Sequence, residues 1–411
     1  MICHHCLPDR KPAPLALTLP QSVLKGEFDT MPQPTFAQHF AHLPDPRVKR
    51  TRRHQLLDLL VITLCAVICG VETWEDIEQY ARAKNTWLQE RLGLSLQAGI
   101  PSDDTLRRLF AALDPDAFAT CFRAWVQTLR EQTQGEVIAL DGKTLRHSFD
   151  TAREQKPLHL VSAFATLNRL VLACVAVEDK SNEIPAAQAL LRLLDLRGSI
   201  VTADAMHCQT ALVEQIVEQE GDYVLCVKNN QPHLYEDVVA CVDYQQQQRV
   251  PTRRLEVATT KEVAHGRREV RRCTCVFLEA NDPDWADLQQ KWPRLRCLVK
   301  MQRQRGSGPA KKVETHYYLS SLATTAAHMA GVIRQHWLIE NQLHHVLDVS
   351  FGEDASRVRR DHGPVNLAMV RHVALNLLRR EESEHSIKGK RKMAGWDNDF
   401  LLRVLVSKKM I

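Results

Sequence analysis

Hydrophobic residues follow two different patterns along this chain. From residue 36 to about 129 they recur at helical spacing, and residues 56–69 are apolar almost all round. Thr73 and Ser102 each stand directly before a helical pattern, where a hydroxyl side chain can cap the first turn. The first pattern therefore predicts an all-α module of about ninety residues, the size of a small domain.

From residue 136 the pattern changes to short apolar runs of strand length. The predicted strands cover 137–141, 158–165, 170–177, 199–203 and 223–227, and helices are predicted at 184–194 and 209–220. This β-β-β-α-β-α-β order is that of the ribonuclease H fold, in which the first and fourth strands are parallel neighbours. Asp141 and Asp204 end those two strands, so we expect them to lie side by side.

A long β-rich stretch separates the fifth strand from the next helical pattern. Glu340 follows Asp204 by 340 − 204 = 136 residues, far more than a bare ribonuclease H fold needs. The intervening chain contains a predicted helix at 232–244, strand-like segments at 254–262, 267–278, 295–301 and 314–319, and a hairpin at 306–308. Helices are predicted at 323–347, which contains Glu340, and at 364–380.

These patterns predict an α/β protein in which a β-rich insertion domain interrupts a ribonuclease H-like catalytic core. An all-α N-terminal module precedes the core. The predicted divisions are a disordered tail at 1–34, the helical module at 35–130, the core at 131–228 and 323–380, the insertion domain at 229–322, and a charged tail at 381–411, of which residues 381–392 are expected to be loose.

Composition and charge limit the class of protein to which this chain can belong. The chain has 411 residues, is 44% hydrophobic and 25% charged, and has a net charge of only +5. Basic residues nevertheless cluster at 47–53, 267–272, 357–360 and 388–392. Because these clusters flank the acidic residues named above, they favour a nucleic-acid partner. The helical module would then either bind DNA or serve as a structural or dimerising bundle.

Neither the cysteines nor the longest apolar run indicates an oxidising compartment or a membrane. Most of the twelve cysteines lie inside apolar stretches, and no secretory leader is recognisable, so we expect free thiols in a cytoplasmic protein, associated with the nucleoid. Residues 3–6, Cys-His-His-Cys, are too crowded to close a tetrahedral zinc site. Cys273 and Cys275 should share one face of a strand. The run at 56–71 contains Asp58 and is shorter than the ~18 residues of a membrane span, so we expect no membrane association.

Three acidic residues indicate chemistry. Asp141 and Asp204 at strand ends, with Glu340 from a helix laid across them, can hold two hard cations side by side. Such a site activates a water or a 3′-hydroxyl for attack on a phosphate. Structural roles are open for each residue: Asp204 could cap the helix at 209–220, and Glu340 could lie on a solvated helix face. Glu353 and Asp354 are rival carboxylates whose surroundings suit a turn.

Seven short motifs together resemble the DDE transposases of bacterial insertion sequences, specifically the H-repeat-associated (ISAs-type) family. The resemblance extends from about residue 36 to residue 380. The motifs are GIPSDDT at 99–105, LDGKTLR at 140–146, ADAMH at 203–207, VKNNQP at 227–232, HGR at 265–267, HWLIEN at 336–341 and LDVSFGED at 347–354.

The resemblance implies that Asp141, Asp204 and Glu340 are a catalytic triad that binds two Mg²⁺ ions, with Mn²⁺ able to substitute. It implies that the partners are the terminal inverted repeats of the element and target DNA, and that the protein forms a homo-oligomer on DNA. The residues expected to contact DNA are Lys143, Arg146, Lys228, Arg334, Trp337 and Arg357.

The chain departs from the wider group of transposases that contain an insertion domain. That group has a Tyr, an Arg and a Lys around the Glu, where this chain has Ile333, His336 and Leu347. Arg334, His344 or Arg357 could take over their phosphate contacts. Two other functions stay open: an inactive or domesticated DNA-binding relative, and a ribonuclease H-fold nuclease that acts without strand transfer.

Overall fold

A computed structural model describes residues 35–131, 134–149, 154, 156–177, 183–264, 267–280, 282–306 and 312–406. The tail at 1–34, which includes the Cys-His-His-Cys run, lies outside the described residues. So does most of the predicted hairpin at 306–308.

The stretch at 35–129 is helical in the structure, and two of its helices begin at the predicted capping residues. Its helices are α1 (Thr35–Phe40), α2 (Leu56–Ile68), α3 (Trp74–Ala83), α4 (Asn85–Leu92), α5 (Asp103–Ala112) and α6 (Pro115–Leu129). The Thr73 hydroxyl accepts a hydrogen bond from Asp76 N at 3.1 Å, and that of Ser102 accepts from Thr105 N at 3.3 Å. Nearly every side chain of α2 is buried, which explains why this helix is apolar all round.

One mixed sheet of nine strands forms the centre of the described chain. Its strands are β1 (Val137–Thr144), β2 (His159–Ala165), β3 (Leu170–Val177), β4 (Ile200–Ala203), β5 (Asp222–Val227), β6 (Leu255–Ala264), β7 (Arg267–Phe277), β8 (Cys297–Arg305) and β9 (Lys312–Ser320). The spatial order is β3-β2-β1-β4-β5-β9-β8-β7-β6. β1 pairs in parallel with β4, and β4 in parallel with β5. The mixed α/β class and the neighbouring first and fourth strands are therefore as predicted.

The stretch at 229–322 is β-rich, but its strands do not form a separate sheet. β9 pairs antiparallel with β5, from Val224 opposite Ser320 to Val227 opposite Tyr317. β8, β7 and β6 then follow outward in the same sheet, with α9 (Pro232–Gln247) packed against β7, β8 and β9. Pairing with β9 covers the backbone groups that β5 would otherwise expose as an edge strand. The predicted insertion is thus an extension of the central sheet.

The predicted helix at 323–347 is divided into three parts. α11 (Ala326–His336) crosses β1, β4, β6 and β7, a π-helical segment (Ile339–His344) follows, and α12 (His345–Phe351) completes the path. The wider π-helical turn shifts the side chains that follow it relative to a continuous α-helix. Glu340 lies within this segment.

The charged tail predicted at 381–411 is instead packed structure as far as residue 406. Beyond α13 (Gly363–Arg380), α14 (Ile387–Trp396) and α15 (Asn398–Val406) pack against α13. Arg391 is buried, donates to Val67 O at 2.8 Å and lies 4.2 Å from the centre of the Phe351 ring. Because the Val67 carbonyl oxygen accepts two hydrogen bonds from the Arg391 guanidinium, the charge of Arg391 does not keep the segment in solvent. The prediction of a loose tail was wrong here.

The helices among the described residues are too short or too polar to cross a membrane. Cys273 and Cys275 lie on one face of β7 as expected, with their sulfur atoms 3.9 Å apart.

Candidate active site

The sheet register brings Asp141 and Asp204 together. In the parallel pair β1 and β4, Leu140 lies opposite Ala203. Asp141 directly follows Leu140, and Asp204 directly follows Ala203. Asp204 Oδ1 accepts from Met206 N at 3.1 Å and so caps a 3₁₀ turn at Ala205–His207. It does not cap the following helix α8 (Thr210–Glu218), whose N-terminal neighbour is Gln209.

Glu340 is electrostatically coupled to Asp141. The π-helical segment that contains it packs against β1. Partial burial raises the pKa of Glu340, the negative charge of Asp141 raises it further, and His344 opposes the shift. His344 also approaches the aspartate directly, with Nδ1 3.4 Å from Asp141 Oδ2. The three acidic residues of the sequence prediction therefore share one region of the structure.

His336 lies beneath the same region. Its Nδ1 is 3.1 Å from Thr202 Oγ1 in β4. Burial lowers the pKa of His336, and the negative charges of Asp141 and Asp204 oppose that shift. Because burial favours the neutral imidazole, His336 contacts β4 without adding a positive charge to the site.

The ligand chemistry of the three carboxylates fits hard divalent cations, although the structure does not arrange them as a formed metal site. Asp141, Asp204 and Glu340 offer only carboxylate oxygens, which Mg²⁺ and Mn²⁺ prefer. Burial and, to a smaller extent, the negative charge of Asp141 raise the pKa of Glu340, and a bound cation would offset both effects. Within the part of the chain that the structure describes, no three His, Cys, Asp or Glu side chains are arranged as a metal site. Binding would therefore require the carboxylates to draw together around the ion.

Lys143 does not take the place expected of a phosphate contact. Its Nζ lies 2.5 Å from Asp348 Oδ1 and 2.9 Å from Glu353 Oε2, and the side chain is 11% exposed. Glu353 is fully buried in this pair, and Asp354 Oδ1 accepts from Arg146 N at 2.8 Å. The two rival carboxylates thus have structural partners, as their turn-like surroundings suggested.

Trp337 and Arg334 line a cleft of about 450 Å³ beside Glu340. We call it the arginine cleft, after four arginines in its wall: Arg271, Arg303, Arg305 and Arg334. Glu269 pairs with three of them, at 2.5 Å from Arg271 and 2.6 Å from Arg303, and Glu262 pairs with Arg334. The Trp337 side chain is 41% exposed. Cations and an exposed aromatic ring together suit a nucleic-acid strand.

The remaining expected DNA contacts are spread over the surface. Lys228 is exposed directly after β5. Arg146 is 80% exposed and lies 3.6 Å from Asp354. Arg357 is exposed and lines a separate cavity between α3, α5 and the start of α13. Arg146 and Arg357 therefore contact other parts of the surface, whereas Lys228 lies close enough to His316 in the cleft wall that its charge adds to the effect of burial in lowering the pKa of His316.

The basic segment at 47–53 has two kinds of side chain. Arg47 is held by Asp45 at 2.9 Å and by His54 O, and Arg52 donates to Arg47 O at 2.8 Å. Lys49, Arg50 and Arg53 are exposed. Two arginines thus shape the loop, and the other three cations face solvent.

Sequence reasoning missed a buried carboxylate next to the triad. Glu183, the first residue of α7 (Glu183–Arg192), lies between His159 Nε2 at 3.3 Å and His207 Nε2 at 3.5 Å. Burial opposes ionisation of Glu183, but the two imidazoles outweigh it and lower its pKa to about 2. Its side chain packs against Gly142, directly after Asp141. His207 in the ADAMH motif was the only available signal.

Comparison with known proteins identifies the family of the chain. The family model described as "Transposase DDE domain" matches residues 132–377, and one described as "DDE_Tnp_1-associated" matches residues 37–126. The chain belongs to the DDE transposase family.

Its relatives include the "Putative transposase YncI" of Escherichia coli O157:H7, which is 37% identical over 375 residues, 89% of this chain and 93% of the relative. The "H repeat-associated putative transposase YhhI" of Escherichia coli strain K12 is 35% identical over 379 residues, 90% of this chain and 97% of the relative. The resemblance found in the motifs is therefore confirmed. A cryo-EM structure of the piggyBac transposase synaptic complex with hairpin DNA aligns at a TM-score of 0.41 and 12% identity, covering 90% of this chain and 75% of that one. Such a likeness is too weak to argue from.

Proposed function

We propose that this chain is a metal-dependent transposase that cleaves DNA at the ends of an insertion sequence and joins the freed ends to target DNA. The register that sets Asp141 beside Asp204, with Glu340 coupled to Asp141, is the observation that carries the proposal. Membership of the DDE transposase family supports it.

Each acidic residue has a distinct role in this proposal. Asp141 and Asp204 would hold one Mg²⁺ ion, and Asp141 and Glu340 the other, with Mn²⁺ able to replace both. When bound, the two ions would activate water or a 3′-hydroxyl and stabilise the leaving oxygen. His344, 3.4 Å from Asp141 Oδ2, orients the carboxylate that both ions share.

The DNA partners follow from the surfaces around the triad. The arginine cleft and the helical module would bind the terminal inverted repeats, with Trp337 stacking on a base and Arg334 contacting phosphate. Lys228, Arg146 and Arg357 would bind backbone phosphates elsewhere on the surface, including those of target DNA. Because two ends of an element must be paired before joining, a homo-oligomer on DNA is part of the proposal.

The test is a plasmid that carries the element's ends. Asp141→Asn, Asp204→Asn and Glu340→Gln should each abolish cleavage and leave end binding nearly intact, because ligation requires ionised oxygens and DNA recognition uses other surfaces. Asp237→Asn, an exposed carboxylate on α9, is the matched control. Cleavage within about tenfold of wild type, ~1.4 kcal/mol of barrier, would exclude that residue from the triad.

A strand-transfer assay with pre-cleaved ends separates the remaining alternatives. Cleavage without joining would assign a nuclease, and end binding without cleavage would assign an inactive or domesticated relative.

A further inference from the structure

Lys143 connects the strand that contains Asp141 to the helix that follows Glu340. It lies two residues after Asp141 in β1, so the two side chains leave the same face of the strand. Its ammonium contacts Asp348 in α12 and Glu353 just after α12, at 2.5 and 2.9 Å. Lys143 therefore spans the same two elements, β1 and the Glu340-containing helix path, as the carboxylates of the triad.

The connection is buried and charge-balanced. The Lys143 side chain is 11% exposed and that of Glu353 is 1% exposed. Burial opposes the charge on Glu353, but Lys143, Arg371 and His372 together hold its pKa below the ordinary value. Arg371 and His372 belong to α13, so a third element supports the pair. Desolvated charges do not exchange partners with water at low cost, so this contact fixes a geometry.

The triad needs such a restraint. Asp141 and Glu340 are like charges in one partly buried region, and their repulsion favours separation of β1 from the helix. The direct contact of His344 with Asp141 opposes this separation on one side. The Lys143 contacts with Asp348 and Glu353 oppose it on the other, at positions beyond Glu340 in the chain.

We propose that Lys143 is a positioning residue that limits the separation of Asp141 from Glu340, so that the two carboxylates can draw together around a divalent cation, and that it does not contact DNA. This inference rests on the proposed function, because it takes Asp141 and Glu340 as cation ligands. A phosphate would have to displace the Asp348 and Glu353 carboxylates, which already contact the Lys143 ammonium group.

The experiment measures Mn²⁺ binding to the DNA-free, full-length protein by electron paramagnetic resonance of the unbound ion. Lys143→Met should weaken Mn²⁺ binding by about tenfold or more, the usual effect of losing a residue that supports metal ligands. Added Mn²⁺ should restore part of its cleavage, and end binding in Ca²⁺ should be unchanged. Lys143→Arg should retain most of the Mn²⁺ affinity. Lys261→Met, an exposed lysine of β6, is the matched control.

A second variant allows the same measurement if the first variant fails to fold. If Lys143→Met does not fold, the double variant Lys143→Met with Glu353→Gln removes both charges of the pair, and Glu72 remains as an anion that stabilises buried Arg371. A folded variant of either kind with wild-type Mn²⁺ affinity would overturn the inference. Weakened end binding with unchanged Mn²⁺ affinity would also overturn it and assign Lys143 to phosphate binding.

Asp141→Asn in the same measurement separates this inference from the proposed function. If Asp141→Asn also binds Mn²⁺ like wild type, the proposed ligand set is wrong. If Asp141→Asn loses the ion and Lys143→Met does not, only the positioning role is wrong.

Discussion

Gly142 is the position where one added methyl group should do the most damage near the triad. A Cβ built on Gly142 lies well inside contact distance of the Glu183 carboxylate, and it is 2.7 Å from both Glu183 Cδ and His159 Nε2. All three atoms belong to side chains that are almost completely buried. Gly142→Ala therefore cannot be accommodated by rotating a side chain into solvent.

The magnitude follows from two effects. Overpacking a core typically costs about 1–3 kcal/mol. Moving Glu183 would also disturb its contacts with His159 and His207, and leaving a buried polar group without its partner costs about 1–3 kcal/mol. Because Glu183 can shift without leaving both partners, we expect Gly142→Ala to destabilise the protein by about 3 kcal/mol.

Thermal and urea unfolding, followed by circular dichroism, measure the effect. Gly331→Ala is the control, because no atom lies within 4 Å of the added methyl group in α11 and alanine favours a helix by about 0.5–1 kcal/mol. Combining Gly142→Ala with Glu183→Ala should cost less than the sum of the single variants. A Gly142→Ala protein as stable as wild type would refute the packing of Glu183 against β1.

Three further predictions concern pH, metal and salt. Glu183 has a pKa of about 2 in the folded protein, below its ordinary 4.5, so its stabilising effect is present above about pH 4.5 and is lost as the pH falls toward 2. Glu183→Gln should therefore lose less stability than wild type between about pH 6 and pH 3, measured by urea unfolding. Cleavage should require Mg²⁺ or Mn²⁺, Ca²⁺ should support end binding alone, and loss of activity on selective zinc chelation would contradict the carboxylate site. Neutralising Lys49, Arg50 and Arg53 together should reduce the slope of log affinity for DNA against log salt concentration by about 0.9 for each lost phosphate contact. The reduction should be equal for specific and random DNA, because phosphate contacts do not read the base sequence. An unchanged slope would mean that the segment is a solvated loop.

The sequence was informative where a local pattern has one structural solution. Two apolar runs of strand length lead to Asp141 and Asp204, and the order of the strands predicted that these two runs pair in parallel. The register of β1 with β4 confirms this pairing. Thr73 and Ser102 predicted helix starts because a hydroxyl cap acts within one turn.

The sequence was uninformative where long-range partners decide the structure. The pairing of β5 with β9 joins residues almost a hundred positions apart, and no local signal distinguishes it from a separate sheet. Lys143 looked like a phosphate contact because Asp348 and Glu353 are more than two hundred residues away in the chain. Arg391 looked like solvated charge because its main partner is a backbone carbonyl, which has no sequence signature.

The continuous sheet has a mechanical consequence. A domain on a flexible linker can change its position relative to the rest of a protein. Here, the strands that contain Arg271, Arg303 and Arg305 are hydrogen-bonded through β9 and β5 to β4, which Asp204 follows, and through β4 to β1, which contains Asp141. The arginine cleft and the two aspartates are therefore held at a fixed distance from each other. If DNA binds in the arginine cleft, as proposed, it reaches the two aspartates at that distance. Under the proposed function, any change in geometry between cleavage and joining would then come from the DNA itself or from the helix that contains Glu340.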